Sequence, residues 1–123
     1  SYTIDCVIKN KDIEINQNVI FDYLFVEDME RIVEHFINIQ PDKNIINITP
    51  DESISLMEIA QIVNTFGEKP VQITIKNPIM NNEYTGSNER LKKYFPDLIF
   101  TDIKEGLKKL YKYKQECSII KLA

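Results

Sequence analysis

The chain has 123 residues, 43% apolar and 28% charged, with a formal net charge of −4 and a pI near 5.0. That acidity argues against a nucleic-acid binder, which needs a basic face for phosphates, and no run approaches the roughly 18 apolar residues of a membrane span. The size is that of one domain able to bury about two-thirds of its unfolded surface.

In chain order, Tyr2 to Ile8 reads as the tail of a helix with Ile4, Val7 and Ile8 on one side. Ile13 and Ile15 alternate with Glu14 and Asn16 as a short strand with one wet face. The turn Gln17-Asn18 then offers a hairpin into the most informative stretch, Phe21-Asp22-Tyr23-Leu24-Phe25-Val26-Glu27-Asp28. This reads as a strand buried on both faces, broken only by Asp22. It runs at once into a helix whose apolar positions Met29, Ile32, Val33, Phe36 and Ile37 share one face. Asp28, or Glu27 before it, stands where a helix start wants an acceptor and a negative charge. Pro41 and Asp42 stop that helix, and Asn44 to Thr49 reads as a short apolar strand.

The next helix is the best marked. Ser55-Leu56-Met57-Glu58 has the capping-box pattern, with Leu56, Ile59, Ala60, Val63 and Phe66 on the buried face and Gly67 and Pro70 beyond its end. Val71, Ile73 and Ile75 alternate as a strand. A polar loop leads to Tyr84-Thr85-Gly86, and Ser87 is placed to cap a short helix carrying Leu91 and Tyr94. Thr101 or Asp102 opens the last helix, with Ile103, Gly106, Leu107, Leu110 and Tyr111 inward. Glycine costs a helix about 1 kcal/mol, so close packing is expected against Gly106. Lys108, Lys109, Lys112 and Lys114 form a solvated face, and the tail from Gln115 (residues 115–123) reads as loosely held. The whole is α+β or partial α/β.

Cys6 and Cys117 are the only cysteines. Two isolated thiols make no disulfide framework, which points to a reducing cytoplasm; a bridge between them or to another chain is the alternative. No signal-peptide pattern opens the chain. Its start at Ser1 without Met reads as a chain processed or excised from something longer.

The three glycines, Gly67, Gly86 and Gly106, lie too far apart for a phosphate-cradling loop. The only histidine, His35, falls on the polar side of its helix and reads as a surface residue, so a metal cluster or a Ser-His relay has nothing to build on. No tyrosine is followed by lysine four residues on. On this reading the chain is not a self-sufficient enzyme, has no catalytic residue and binds no metal.

Three segments in order resemble the C-terminal part of NAD-dependent epimerase/dehydratases, the extended short-chain dehydrogenase/reductase family. Ile13-Glu14-Ile15 followed by Phe21 to Asp28 resembles the family's strand and its "Arg-Asp-Phe-Ile-Tyr-Val-x-Asp" block. Ile46-Asn47-Ile48-Thr49, then Glu52-Ser53-Ile54-Ser55-Leu56-Met57-Glu58-Ile59-Ala60, is similar to "Tyr-Asn-Ile-Gly…Ser-Leu-x-Glu-Leu-Ala". Tyr84 to Leu91, Pro96, Phe100-Thr101 and Glu105-Gly106-Leu107 resemble the closing block with its "Glu-Gly-Leu" helix.

The resemblance implies that residues 1–123 are a single C-terminal domain, a fragment whose Rossmann core, NAD(P) and catalytic Tyr and Lys lie elsewhere. It implies a nucleotide-sugar partner, an isomerase role in polysaccharide biosynthesis, and no nucleic acid or membrane. The strand Asn44 to Thr49 would normally join the Rossmann sheet, and its orphan edge invites a homodimer. A stand-alone binding or dimerisation module derived from such an enzyme is the alternative. The family often carries Arg where Phe21 stands, gripping a diphosphate, so either another cation supplies the grip, with Arg90 and Lys76 as candidates, or the ligand is not a diphosphate sugar. Tyr84, Asn88 and Phe21 complete the substrate-binding candidates, with Tyr84 able to stack on a base or to pack at the loop base. Asp22, Asp28, Ser55 and Glu58 read as structural. Which sugar, which nucleotide and which of epimerisation, dehydration or reduction are not encoded in these residues.

Overall fold

The computed structural model describes residues 2–42 and 45–122. Helix α1 (Tyr2–Ile8) is followed by β1 (Ile13–Gln17), β2 (Ile20–Phe21), α2 (Val26–Ile39), β3 (Ile54–Ser55), α3 (Leu56–Asn64), β4 (Ile73–Asn77), α4 (Glu89–Tyr94) and α5 (Ile103–Leu122).

No hairpin forms between β1 and β2. Instead β1 pairs in parallel with β4, Ile13 opposite Ile73 and Ile15 opposite Ile75, while β2 pairs antiparallel with β3. Alternation explains the choice. Ile13 and Ile15 point to one face, and the apolar face of β4 extends that surface for α1, α3 and α5 to cover. Ile4, Cys6, Val7, Ala60, Val63, Leu107 and Tyr111 fill this first core. Both cysteines are free, with Cys6 buried inside it.

A second, smaller core lies under α2 and α4, where Ile32, Leu91 and Leu98 are buried and Phe36, Ile46, Ile48, Phe95 and Phe100 pack around them. Here the structure corrects several expectations. The strand expected from Phe21 to Asp28 is confined to β2, and residues 21–25 are half-buried rather than enclosed on both faces. The chain leaves the ladder because Asp22 turns to accept hydrogen bonds from the Ser53 hydroxyl (2.6 Å) and the Gly86 amide (2.7 Å). Helix α2 begins after Phe25, with no side-chain cap from Glu27 or Asp28. Of its five expected core positions only Ile32 is fully buried; Met29, Val33 and Ile37 are 38%, 45% and 69% exposed. The expected strand at Asn44 to Thr49 forms no ladder over Ile45–Thr49, and Asn44 lies outside the described residues.

Other elements follow their local chemistry. The Ser55 hydroxyl accepts from the Glu58 amide (3.2 Å) while Glu58 accepts from the Ser55 amide (2.9 Å), which completes the capping box. Helix α4 starts one residue later than Ser87 suggests, with Asn88 at the cap position. Asp102 accepts from the Glu105 amide (3.0 Å) at the start of α5. That helix continues through the segment beyond Gln115, where Ile119 and Ile120 are exposed.

Gly106 is buried with the ring of Phe25 lying directly on it. A methyl group there would overlap the ring. We expect Gly106→Ala to lose about 1–3 kcal/mol to overpacking, despite the better helix propensity of alanine. Chemical denaturation checks this, and an unchanged or raised midpoint would show that the Phe25 contact is not close enough to matter.

Candidate functional site

The loops after β2, before β3 and after β4 converge on one end of the second core. The Tyr84 amide donates to the Ile20 carbonyl (2.9 Å), making a parallel bridge between Phe21 and Tyr84. This register lays the two rings face to face, centroids 5.4 Å apart at 18°. Tyr23 meets Phe21 edge-on at 5.8 Å. Tyr84 is 60% exposed, so its outer face is open to solvent. An exposed aromatic ring backed by a second ring is a rigid platform for a flat ligand group.

Below the platform the segment is tied down at several points. Asp22 holds the Gly86 amide. The Asn88 side-chain amide donates to the carbonyls of Thr49 and Pro50 (3.2 Å each) and to Asp51 (2.9 Å). Lys92 pairs with Asp51 at 2.7 Å. The Lys92 hydrogen bond holds the Asp51 carboxyl below the ordinary range, with partial burial opposing it and Asn88 adding to it. Arg90 is exposed and, among the described residues, uses one of its five N–H donors, on the Ile45 carbonyl at 2.8 Å. Lys76, on β4, pairs with Glu14 across the β1–β4 ladder at 2.6 Å.

Asp28 lies in the first turn of α2. It is 1% exposed and accepts from the Thr101 amide (3.0 Å), the Thr101 hydroxyl (2.8 Å) and Arg31. Burial pushes its carboxyl pKa up, but the hydrogen bonds from Thr101 and the Arg31 charge outweigh it and hold the value below the ordinary one. Arg31 also donates to the Ile99 carbonyl (2.8 Å). Asp28 therefore acts as the clamp between α2 and the entry to α5. A shallow cleft of about 230 Å³ beside it is lined by Tyr23, Asp51, Glu52, Phe100 and Asp102 among others. Burial raises the Tyr23 hydroxyl above its ordinary pKa.

His35 is half-buried rather than a surface residue: its ring stacks on Phe95 (centroids 3.9 Å apart) and its Nε2 lies 2.8 Å from the Tyr94 carbonyl. Among the described residues no cluster of three or more His, Cys, Asp or Glu is arranged to hold a metal ion. No described helix is long and apolar enough to cross a membrane.

The structure thus gathers Phe21 and Tyr84 into one platform and puts Asn88 and Arg90 on the segment that follows it. Lys76 is engaged on the β1–β4 sheet. Sequence reasoning missed Asp51, Ser53, Thr101 and Arg31. Arg31 lies three residues from Asp28, a helical spacing that carries a signal. Thr101 lies 73 residues from Asp28, and nothing local announces that contact.

The fold is shared with part of two larger structures. One is a "putative epimerase" from Burkholderia cenocepacia J2315, with TM-score 0.78 and 18% identity over 92% of this chain and 39% of that one. The other is the UDP-glucuronic acid 4-epimerase of Bacillus cereus in complex with NAD, with TM-score 0.72 and 16% identity over 94% of this chain and 38% of that one. The chain therefore has the fold of a portion of these epimerase structures and spans under two-fifths of the length of each. No protein-family model matches the sequence, and a comparison with curated proteins finds no significant match.

Proposed function

We propose that this chain is the C-terminal, nucleotide-sugar-binding lobe of an NAD(P)-dependent epimerase/dehydratase and does not catalyse by itself. One observation carries the reading: nearly the whole chain, 92–94% of it, overlays on epimerase structures of which it makes up only 38–39%. NAD(P) and the acid/base groups then belong to the remaining part of such a protein. The Phe21–Tyr84 platform supports the assignment, because a stacked ring pair suits the flat face of a nucleobase or sugar. Arg90 supplies a cation for a diphosphate, in place of the arginine that Phe21 replaces, whereas Lys76 is held by Glu14 on the β1–β4 sheet. Asn88 fixes the segment that carries Arg90.

The test is titration of the purified native gene product with UDP-glucuronic acid, followed by calorimetry. Saturable binding is expected. The exposed Tyr84 ring can be removed at little cost to the fold, and stacking on a base is worth about 1–3 kcal/mol. Tyr84→Ala should therefore weaken binding by roughly tenfold, since about 1.4 kcal/mol corresponds to that factor, and leave the denaturation midpoint nearly unchanged. A folded product that binds no nucleotide sugar, of whatever base or sugar, would remove this assignment.

A further inference from the structure

The ring platform rests on very little regular structure. Strands β2 and β3 meet over two rungs, Ile20 opposite Ser55 and Phe21 opposite Ile54, and Tyr84 joins Phe21 through one isolated bridge. Ladders this short are marginal in water. The Tyr84 ring is 60% exposed, so its stack on Phe21 holds only the inner face. The orientation of the platform is therefore left to the side chains around it.

Asp22 is placed to set it. It follows Phe21 directly, and its two carboxylate oxygens reach two different segments. One accepts from the Ser53 hydroxyl, just before β3, at 2.6 Å, and the other from the Gly86 amide, two residues after Tyr84, at 2.7 Å. Gly86 is held from its other side as well, because the Thr49 hydroxyl donates to its carbonyl at 3.4 Å. A Cβ at Gly86 would lie 3.3 Å from the Thr49 methyl and 4.0 Å from the Asp22 carboxylate, so the three groups leave little room between them. Unlike Asp28, Asp22 is only half-buried and its partner Ser53 is exposed. Water competes for such bonds, so their net contribution to folding is small. What they fix is where Tyr84 stands.

We infer that Asp22 is a positioning residue for ligand binding: with Ser53 and Gly86 it locks three segments into a preformed platform, so that its loss weakens affinity rather than the fold. This rests on the proposed function. Each backbone residue that must be ordered at the moment of binding lowers affinity by about tenfold, and a platform fixed beforehand avoids that loss. Asp22 touches no ligand in this role. The role requires one side chain to bond in two directions, and that requirement separates its variants. Asparagine can accept from the Gly86 amide with Oδ1 and donate to the Ser53 hydroxyl with Nδ2, whereas alanine does neither.

Calorimetric titration of the native gene product with UDP-glucuronic acid, in the wild type, Asp22→Ala and Asp22→Asn, tests this. Asp22→Ala should bind about tenfold more weakly with a nearly unchanged denaturation midpoint, and Asp22→Asn should stay within about threefold of wild type. Hydrogen exchange read by mass spectrometry supplies a second readout at the Tyr84 amide, which bonds to the Ile20 carbonyl and not to Asp22. Exchange there should speed by about tenfold in Asp22→Ala and remain slow in Asp22→Asn, while β1 and β4 stay protected in both. Wild-type affinity and unchanged Tyr84 exchange in Asp22→Ala would overturn the proposal. Equal losses in the two variants would also do so, because charge and not geometry would then matter. Loss of protection in β1 and β4 would make Asp22 a residue of the fold at large and overturn it too. If the wild type binds no nucleotide sugar, the substrate assignment falls, and Tyr84 exchange decides the role of Asp22 by itself: opening confined to Asp22→Ala keeps it, and unchanged exchange removes it.

Discussion

Replacing Asp28 by alanine destabilises the protein by about 3 kcal/mol at neutral pH. The carboxylate is 1% exposed and accepts from two groups of Thr101 and from Arg31. Hydrogen bonds to a charged group are worth about 1.5–3 kcal/mol each, and an orphaned buried donor costs about 1–3 kcal/mol. Arg31 is half-exposed, so water recovers part of its loss, and the larger share comes from the Thr101 amide. The effect reaches α5, because Thr101 stands just before that helix.

Asp28→Asn keeps the shape and loses the charge, so its deficit is smaller and depends on pH. The folded-state pKa of Asp28 lies below the ordinary value, which is about 3.9 in an unfolded chain. The stabilisation is therefore fully present above about pH 4 and disappears as pH falls through the folded value. The gap between wild type and Asp28→Asn should be constant from pH 7 to pH 5 and close below pH 4. Urea titrations at several pH values check this. A gap that widens on acidification would mean that the carboxyl is held neutral instead.

Leu91→Ala is expected to cost about 3 kcal/mol, within the 2–5 kcal/mol common for a fully buried leucine. Leu91 is 0% exposed, and among the described residues its core has two other buried members, Ile32 and Leu98. So small a cluster cannot absorb the vacancy by shifting a neighbouring layer. Because Leu91 also anchors α4, the change should loosen Asn88 and Arg90 and speed exchange of the α4 amides before those of β1 and β4. A loss below about 1 kcal/mol would show that the second core collapses freely around the gap.

The contrast between the two cores explains what the sequence could convey. The first is built from elements whose patterns are complete within a few residues: the alternation of Ile13 and Ile15, the capping box at Ser55 and Glu58, and the helical spacing of Ala60 and Val63. Gly106 was legible for the same reason, since a glycine inside a helix asks for a neighbour and Phe25 is that neighbour. The second core was misread because its apolar residues face two ways. Met29, Val33 and Ile37 have the periodicity of a core but lie bare, and Ile45–Thr49 has the composition of a strand without a partner. Periodicity reports that a surface wants covering; it does not say whether this chain covers it. The β1–β4 pairing and the Asp28–Thr101 clamp join residues about 60 and 73 positions apart, and such contacts leave no local trace. The Phe21–Tyr84 stack was half legible: both residues stood out, but only the bridge between β2 and the loop after β4 puts them face to face.

The central claim, that this fold is one lobe of a larger nucleotide-sugar enzyme, is tested most directly by native mass spectrometry of the gene product from its own source. The account predicts a chain heavier than the 14.4 kDa of these residues by about one further domain, on the order of 150 residues, releasing NAD or NADP on denaturation. A folded product of 14.4 kDa subunits that releases no dinucleotide would contradict it.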